Sequence, residues 1–150
     1  MPLAAAAQNA GWLLLNSEAQ DAVMVSDPAE KDRLAKGPWK IEGEFRFLAA
    51  AEPGAAALHR MARPNDKGAD RLLTTKPEDV VAAVKAGYAD EGVVGYVAPT
   101  QLSAGLVPVY RYRKDSRSLW LVNPDDRPWA EKAGWVLDGP TFWVSPAPVH

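Results

Sequence analysis

The chain has 150 residues, 47% apolar and 24% charged, with no cysteine and a formal net charge of −2 at pH 7. That length fits one domain with a real core, and that composition excludes disorder, collagen-like repeats and a coiled coil. The near balance of charge gives no overall attraction to nucleic acid or an anionic membrane, and without cysteine there is no disulfide framework, thiol nucleophile or thiolate metal site.

The amino end, Met1 to Ala10, is alanine-rich but lacks a basic start and a long apolar stretch, so residues 1–10 read as an N-terminal segment and not as an intact signal peptide. No window approaches the roughly 20 apolar residues of a membrane-spanning helix. Beyond it, residues 11–150 are expected to form a single domain. Thirteen prolines and eleven glycines shorten every regular element and favour brief strands joined by turns.

The first part of that domain, about 11–56, opens on the apolar run Trp12 to Leu15. It continues with AVMVSDP from Ala22 to Pro28, a charged stretch ending at Gly37, and the spaced set Trp39, Glu42, Gly43 and Phe47. The second part, about 57–106, gives Leu58 to Met61, the polar turn Asn65-Asp66-Lys67-Gly68 and RLLTTKP from Arg71 to Pro77. A stretch ending at Gly87 follows, then Tyr88, Glu91, Gly92 and Tyr96. The third, about 107–146, gives Val109 to Tyr112, the turn Lys114-Asp115-Ser116-Arg117 and SLWLVNP from Ser118 to Pro124. It closes with Gly134 and the set Trp135, Asp138, Gly139 and Trp143. The leading aromatics stand 49 and 47 residues apart, a regularity that marks three repeats.

Each proline opens the pattern of a short helix. Asp27, Thr75 or Asn123 can cap it, Pro28, Pro77 or Pro124 sits in its first turn, and a glycine lies past its end. Pro128 inside the third segment predicts a late or broken helix there. The Glu-Gly and Asp-Gly pairs predict tight hairpins with positive φ at Gly43, Gly92 and Gly139. Four short strands repeated three times make twelve. The expected fold is therefore all-β, three tandem repeats in a β-trefoil-like barrel with pseudo-threefold symmetry and short helical turns, whose closure removes free sheet edges. A small propeller-like or open β-repeat array uses the same units.

The stretch from Gly87 to Arg113, with Gly87-Tyr88, Glu91-Gly92, Gly95-Tyr96-Val97 and Tyr110-Arg111-Tyr112, resembles a secreted bacterial and fungal repeat family of unknown function. Members carry a tyrosine-arginine strand and a GY..EG..GYV hairpin. The resemblance covers most of residues 11–146. It departs at the second strand, where Asp70 to Thr75 and Arg117 to Val122 lack the family's histidine and aromatic pair. Such repeats are often appended to extracellular enzymes, so the resemblance implies a secreted or cell-surface location and an accessory role.

The repeated aromatics Trp39, Tyr88, Trp135, Phe47, Tyr96 and Trp143 read as shared core, with three symmetry-related sugar platforms as the functional alternative. Trp12, Trp120 and Trp129 break the threefold pattern and are the better candidates for exposure, although core or boundary packing is the favoured reading even for them. Arg111, Arg113, Lys114 and Arg117, interleaved with Tyr110 and Tyr112, form the one concentrated basic patch, suited to a carboxylate or phosphate on a polysaccharide. A ligand-binding site is therefore expected in the third repeat at Tyr110, Arg111, Arg113, Arg117 and Trp120.

Catalysis finds little support. His59 is the one internal histidine and His150 is terminal, with no Gly-x-Ser-x-Gly elbow and no phosphate-cradling glycine motif. Asn123, Asp125 and Asp126 resemble a calcium loop only at its start, and helix capping accounts for them. No catalytic residues, metal or cofactor are expected. The function expected is a non-catalytic binding module that recognises glycan or cell-wall polysaccharide. A protein-interaction, inhibitory or structural assembly module with a protein partner is the alternative, and neither nucleic acid nor membrane insertion is expected.

Overall fold

The computed structural model describes residues 9–66 and 68–148. The expectations for Met1 to Gln8, for Lys67 in the second part's polar turn and for His150 lie outside the described residues. Three times along the chain, two strands are followed by a helix and a third strand. The first group is β1 (Ala10–Asn16), β2 (Asp21–Val25), α1 (Pro28–Ala35) and β3 (Lys40–Arg46). The second is β4 (Ala56–Asn65), β5 (Gly68–Thr74), α2 (Pro77–Lys85) and β6 (Ala89–Val97). The third is β7 (Val107–Lys114), β8 (Arg117–Leu121), a 3-10 turn at Pro124–Asp126 that leads into α3 (Arg127–Lys132), and β9 (Val136–Pro146). The protein is mostly β, and its helices are short. Among the described residues no helix is long and apolar enough to cross a membrane.

In each group the first strand lies between the other two. The outer groups share an edge through β3 and β9, giving a six-stranded sheet of order β2-β1-β3-β9-β7-β8, while β5-β4-β6 is separate. Bridges from Leu48 to Tyr96 and from Ala98 to Trp143 tie the middle group to both others. The second strands β2, β5 and β8 approach one another pairwise.

The expected twelve strands are nine among the described residues, because the acid-glycine pairs lie inside continuous third strands. Glu42 is skipped between the pairs Leu13–Gly43 and Leu14–Ile41, and Asp138 between Arg111–Gly139 and Tyr112–Leu137. Glu91 and Gly92 fall between His59–Val93 and Met61–Asp90. An extra residue on one strand is a bulge, which bends and twists the strand without reversing it. Gly92 and Gly139 have the expected positive φ, 96° and 125°, but Gly43 is not among the positive-φ residues. Space, and not φ, requires glycine there: a Cβ on Gly43 would run into the Val122 side chain.

The helix starts follow local chemistry. Asp27 Oδ1 accepts from the Ala29 N–H and Asn123 Oδ1 from the Asp125 N–H, both at 3.0 Å. At α2 the capping position belongs to Lys76, and Thr74 Oγ1, not Thr75, accepts from the Lys76 N–H at 3.0 Å. The 3-10 turn before α3 delivers the late start that Pro128 predicts.

One core draws on all three groups, with Leu13, Met24, Phe45, Leu58, Val109, Trp120 and Phe142 among its buried members. Of the repeated aromatics, Trp135 and Phe47 are buried and the rest are half-buried. Of the three tryptophans outside the repeated set, Trp12 and Trp120 are buried and Trp129 is half-buried, which agrees with packing and corrects the expectation of Trp120 as a ligand platform. Trp120 lies across from Arg111 where the corresponding strands carry Met24 across from Leu13 and Leu73 across from Arg60. Its departure from the pattern fills core volume.

Candidate functional site

The β7–β8 hairpin carries all five residues of the expected site, and it gives them different surroundings. Trp120 is 1% exposed, so its ring offers no face to a ligand. The Arg111 guanidinium lies 5.5 Å from that ring centroid, donates to Ser118 Oγ at 3.1 and 2.8 Å, and approaches Asp138 at 3.9 Å. Arg117 donates to the Ala19 and Gln20 carbonyls at 3.3 and 2.8 Å and comes within 3.6 Å of Asp70. Tyr110 is half-buried, with the Arg127 guanidinium 4.5 Å from its ring centroid, and Arg113 is exposed. Arg111 and Trp120 thus meet as a packed pair, while Arg117 is drawn away into contacts with the other groups.

Those contacts form seams. Arg60 grips Glu30 of the first group in a fork, Nη1 to Oε1 at 3.0 Å and Nη2 to Oε2 at 3.1 Å, and its Nε donates to Glu91 at 3.0 Å. Two parallel charge-assisted bonds fix geometry as well as energy. Arg111 has the equivalent register position and borders Asp79 and Tyr88 of the second group, but its hydrogen bonds go to Ser118 of its own group. Between the third and the first, the place belongs to the buried Leu13. Across this seam Glu42 accepts from the Val122 N–H at 3.0 Å and the Asn123 N–H at 2.7 Å. Burial pushes the Glu42 carboxyl up to about 8, against those two backbone bonds and with help from the neighbouring Asp126.

Where the hairpins converge, Asp21 receives Arg71 Nε at 3.1 Å and Arg71 Nη2 at 3.2 Å. Burial raises the Asp21 carboxyl above its ordinary value despite that guanidinium. Asp70 is also desolvated, yet bonds from Arg63 at 3.0 Å and Asn65 at 2.7 Å hold it below the usual carboxylate range. His59 Nδ1 lies 3.3 Å from Asp90 Oδ1.

A different environment lies at the start of β1. The segment after β3 and the loop before β7 border a cleft of about 770 Å³, whose walls include Leu48, Pro53, Leu102 and Leu106. Asn9, Glu52, Ser103 and Ser145 add polar groups, and Arg46 lines it as well. The Arg46 Nε and Nη1 are buried with no hydrogen-bond partner among the described residues. Sequence reasoning missed this arginine: in Phe45-Arg46-Phe47 it reads as the polar position of an alternating strand. Among the described residues no group of three His, Asp or Glu is placed to hold a metal ion.

Residues 12–145 match the family described as Domain of unknown function (DUF5648). No curated protein and no solved structure matches the chain.

Proposed function

The chain belongs to the DUF5648 family, and from that premise we propose that it is a non-catalytic binding module for glycan or cell-wall polysaccharide in a secreted or surface protein. The cleft at the start of β1 is the observation that carries this reading. Its volume, about 770 Å³, lies in the span of small-molecule sites, roughly 300–1,000 Å³. Apolar walls beside several hydrogen-bonding groups suit a sugar, whose ring offers C–H faces and hydroxyl edges. The β7–β8 hairpin is the lesser surface, since Arg111 is committed to Ser118 within the hairpin and Arg117 to the first group.

The finer architecture belongs to the same proposal. The three strand-strand-helix-strand groups are tandem repeats about a pseudo-threefold axis, in a trefoil-like arrangement. The mutual approach of β2, β5 and β8, and the matching positions of Arg60, Arg111 and Leu13, support it. The tyrosine-arginine and GY..EG..GYV motifs support the secreted location.

A glycan array with the parent and a Leu102→Asp variant tests the binding reading. Signal on polysaccharides that the variant loses supports it. The alternative, a protein-interaction or structural module, draws on the exposed Val136 and Leu137 of β9. No glycan signal, together with a concentration-dependent rise in mass by light scattering, overturns the glycan reading in favour of that one.

A further inference from the structure

Six arginines of this protein donate hydrogen bonds within the fold: Arg60, Arg63, Arg71, Arg111, Arg117, whose Nε is unbonded but 3.6 Å from Asp70, and Arg127. Arg46 does not. Its Nε and Nη1 are shielded from solvent and lack any acceptor among the described residues, although the residue borders the cleft described above. Buried donors of a charged group are seldom left unmade, because desolvation is then uncompensated. Nε and Nη1 lie on the two edges of the guanidinium that Nη2 completes, so a turn of the side chain that brings either edge to the cleft presents a parallel pair of donors. Two oxygens of one carboxylate match that spacing.

The rest of the cleft narrows the ligand. Glu52 lines the cleft as well, and among the described residues it does not satisfy the buried Arg46 nitrogens. A phosphate dianion would meet one guanidinium and that opposing charge, whereas a singly charged group leaves Glu52 free to accept from hydroxyls. Leu48 and Leu102 supply apolar surface for C–H faces. We infer that the cleft recognises the carboxylate of a hexuronic acid residue in a polysaccharide, with Arg46 as the anion anchor and Glu52 as a hydroxyl acceptor. This inference rests on the binding-module reading and assigns its ligand class.

Calorimetric titration of the full chain with trisaccharides of galacturonate, glucuronate and mannuronate tests it, alongside their methyl esters and the neutral maltotriose. At least one uronide should bind about tenfold or more tightly than its own ester, the difference that a charge-assisted pair is worth. Arg46→Gln should erase that preference, and Arg46→Lys, which keeps the charge but not the fork, should restore it in part. The ester comparison uses the parent protein and so holds even where a variant folds poorly. Equal binding of uronide and ester, or a preference that survives Arg46→Gln, overturns the inference. If maltotriose binds and no uronide binds better, the ligand class falls and the saccharide reading stands. If no sugar binds at millimolar concentration, both fall.

Discussion

Arg60 lies where two groups of strands meet and Arg46 where two loops and the start of β1 meet, and the two guanidiniums have opposite surroundings. Arg60 has Glu30 on one edge, Glu91 at Nε and the Met24 carbonyl at 3.0 Å from Nη1. Arg46 has two buried nitrogens with no partner among the described residues. The first arrangement spends the side chain on holding the fold. The second leaves a charge whose binding capacity the fold does not use, beside a cleft. Polar satisfaction, more than the local density of basic residues, separates structural arginines from those free to bind.

The largest effect should come from the satisfied side of this comparison. Replacing Arg60 by methionine leaves Glu30 and Glu91 facing each other across a seam without their common cation. With the Arg60 side chain 18% exposed, the loss should be about 2–3 kcal/mol, below that of a fully buried pair but above a surface one. Urea denaturation measures it. A loss under about 0.5 kcal/mol would class Arg60 with solvated ion pairs and dissolve the contrast.

The seam where Glu42 caps the end of β8 should respond to pH. The folded chain holds a proton on Glu42 up to about 8, whereas the unfolded chain releases it near the ordinary carboxyl value of 4.5. This contribution is full below the unfolded value and is lost as pH rises through the folded one. The raised Asp21 acts in the same direction, and the lowered Asp70 and Asp90 act only at the acid end. Thermal melts should therefore show declining stability from about pH 5 to about pH 9. Glu42→Gln should flatten the decline, since its amide keeps an oxygen for the Val122 and Asn123 N–H groups and gains a donor towards Asp126. An unchanged slope in that variant would remove Glu42 as the source.

A smaller effect should separate backbone strain from seam chemistry. Gly92 has φ of 96° with no heavy atom within 4 Å of where a Cβ would stand, so Gly92→Val meets strain and no clash. A cost of about 1 kcal/mol is expected. Melting like that of the parent would show that the bulge relaxes freely.

The order of strands and helices was legible because each proline, capping side chain and terminal glycine acts within a few residues. The acid-glycine pairs were legible as positions but not as geometry. Glu-Gly between alternating apolar residues fits a hairpin as well as a bulge, and the choice depends on the partner strands β1, β4 and β7. Arg111 and Arg117 stand out in sequence by their neighbours, yet Arg111 is consumed by Ser118 across its own hairpin and Arg117 by the first group. Arg46 carries no local signal, because its lack of acceptors depends on residues brought beside it from distant parts of the chain, such as Leu102 and Ser145.

The most direct test of the division between structural and free arginines is the melting temperature of Arg46→Met beside that of Arg60→Met. Removing unpartnered buried donors while keeping an apolar stem should leave stability within about 0.5 kcal/mol of the parent, or raise it. A loss as large as that of Arg60→Met would show that Arg46 is held by interactions of the fold, and would contradict the account.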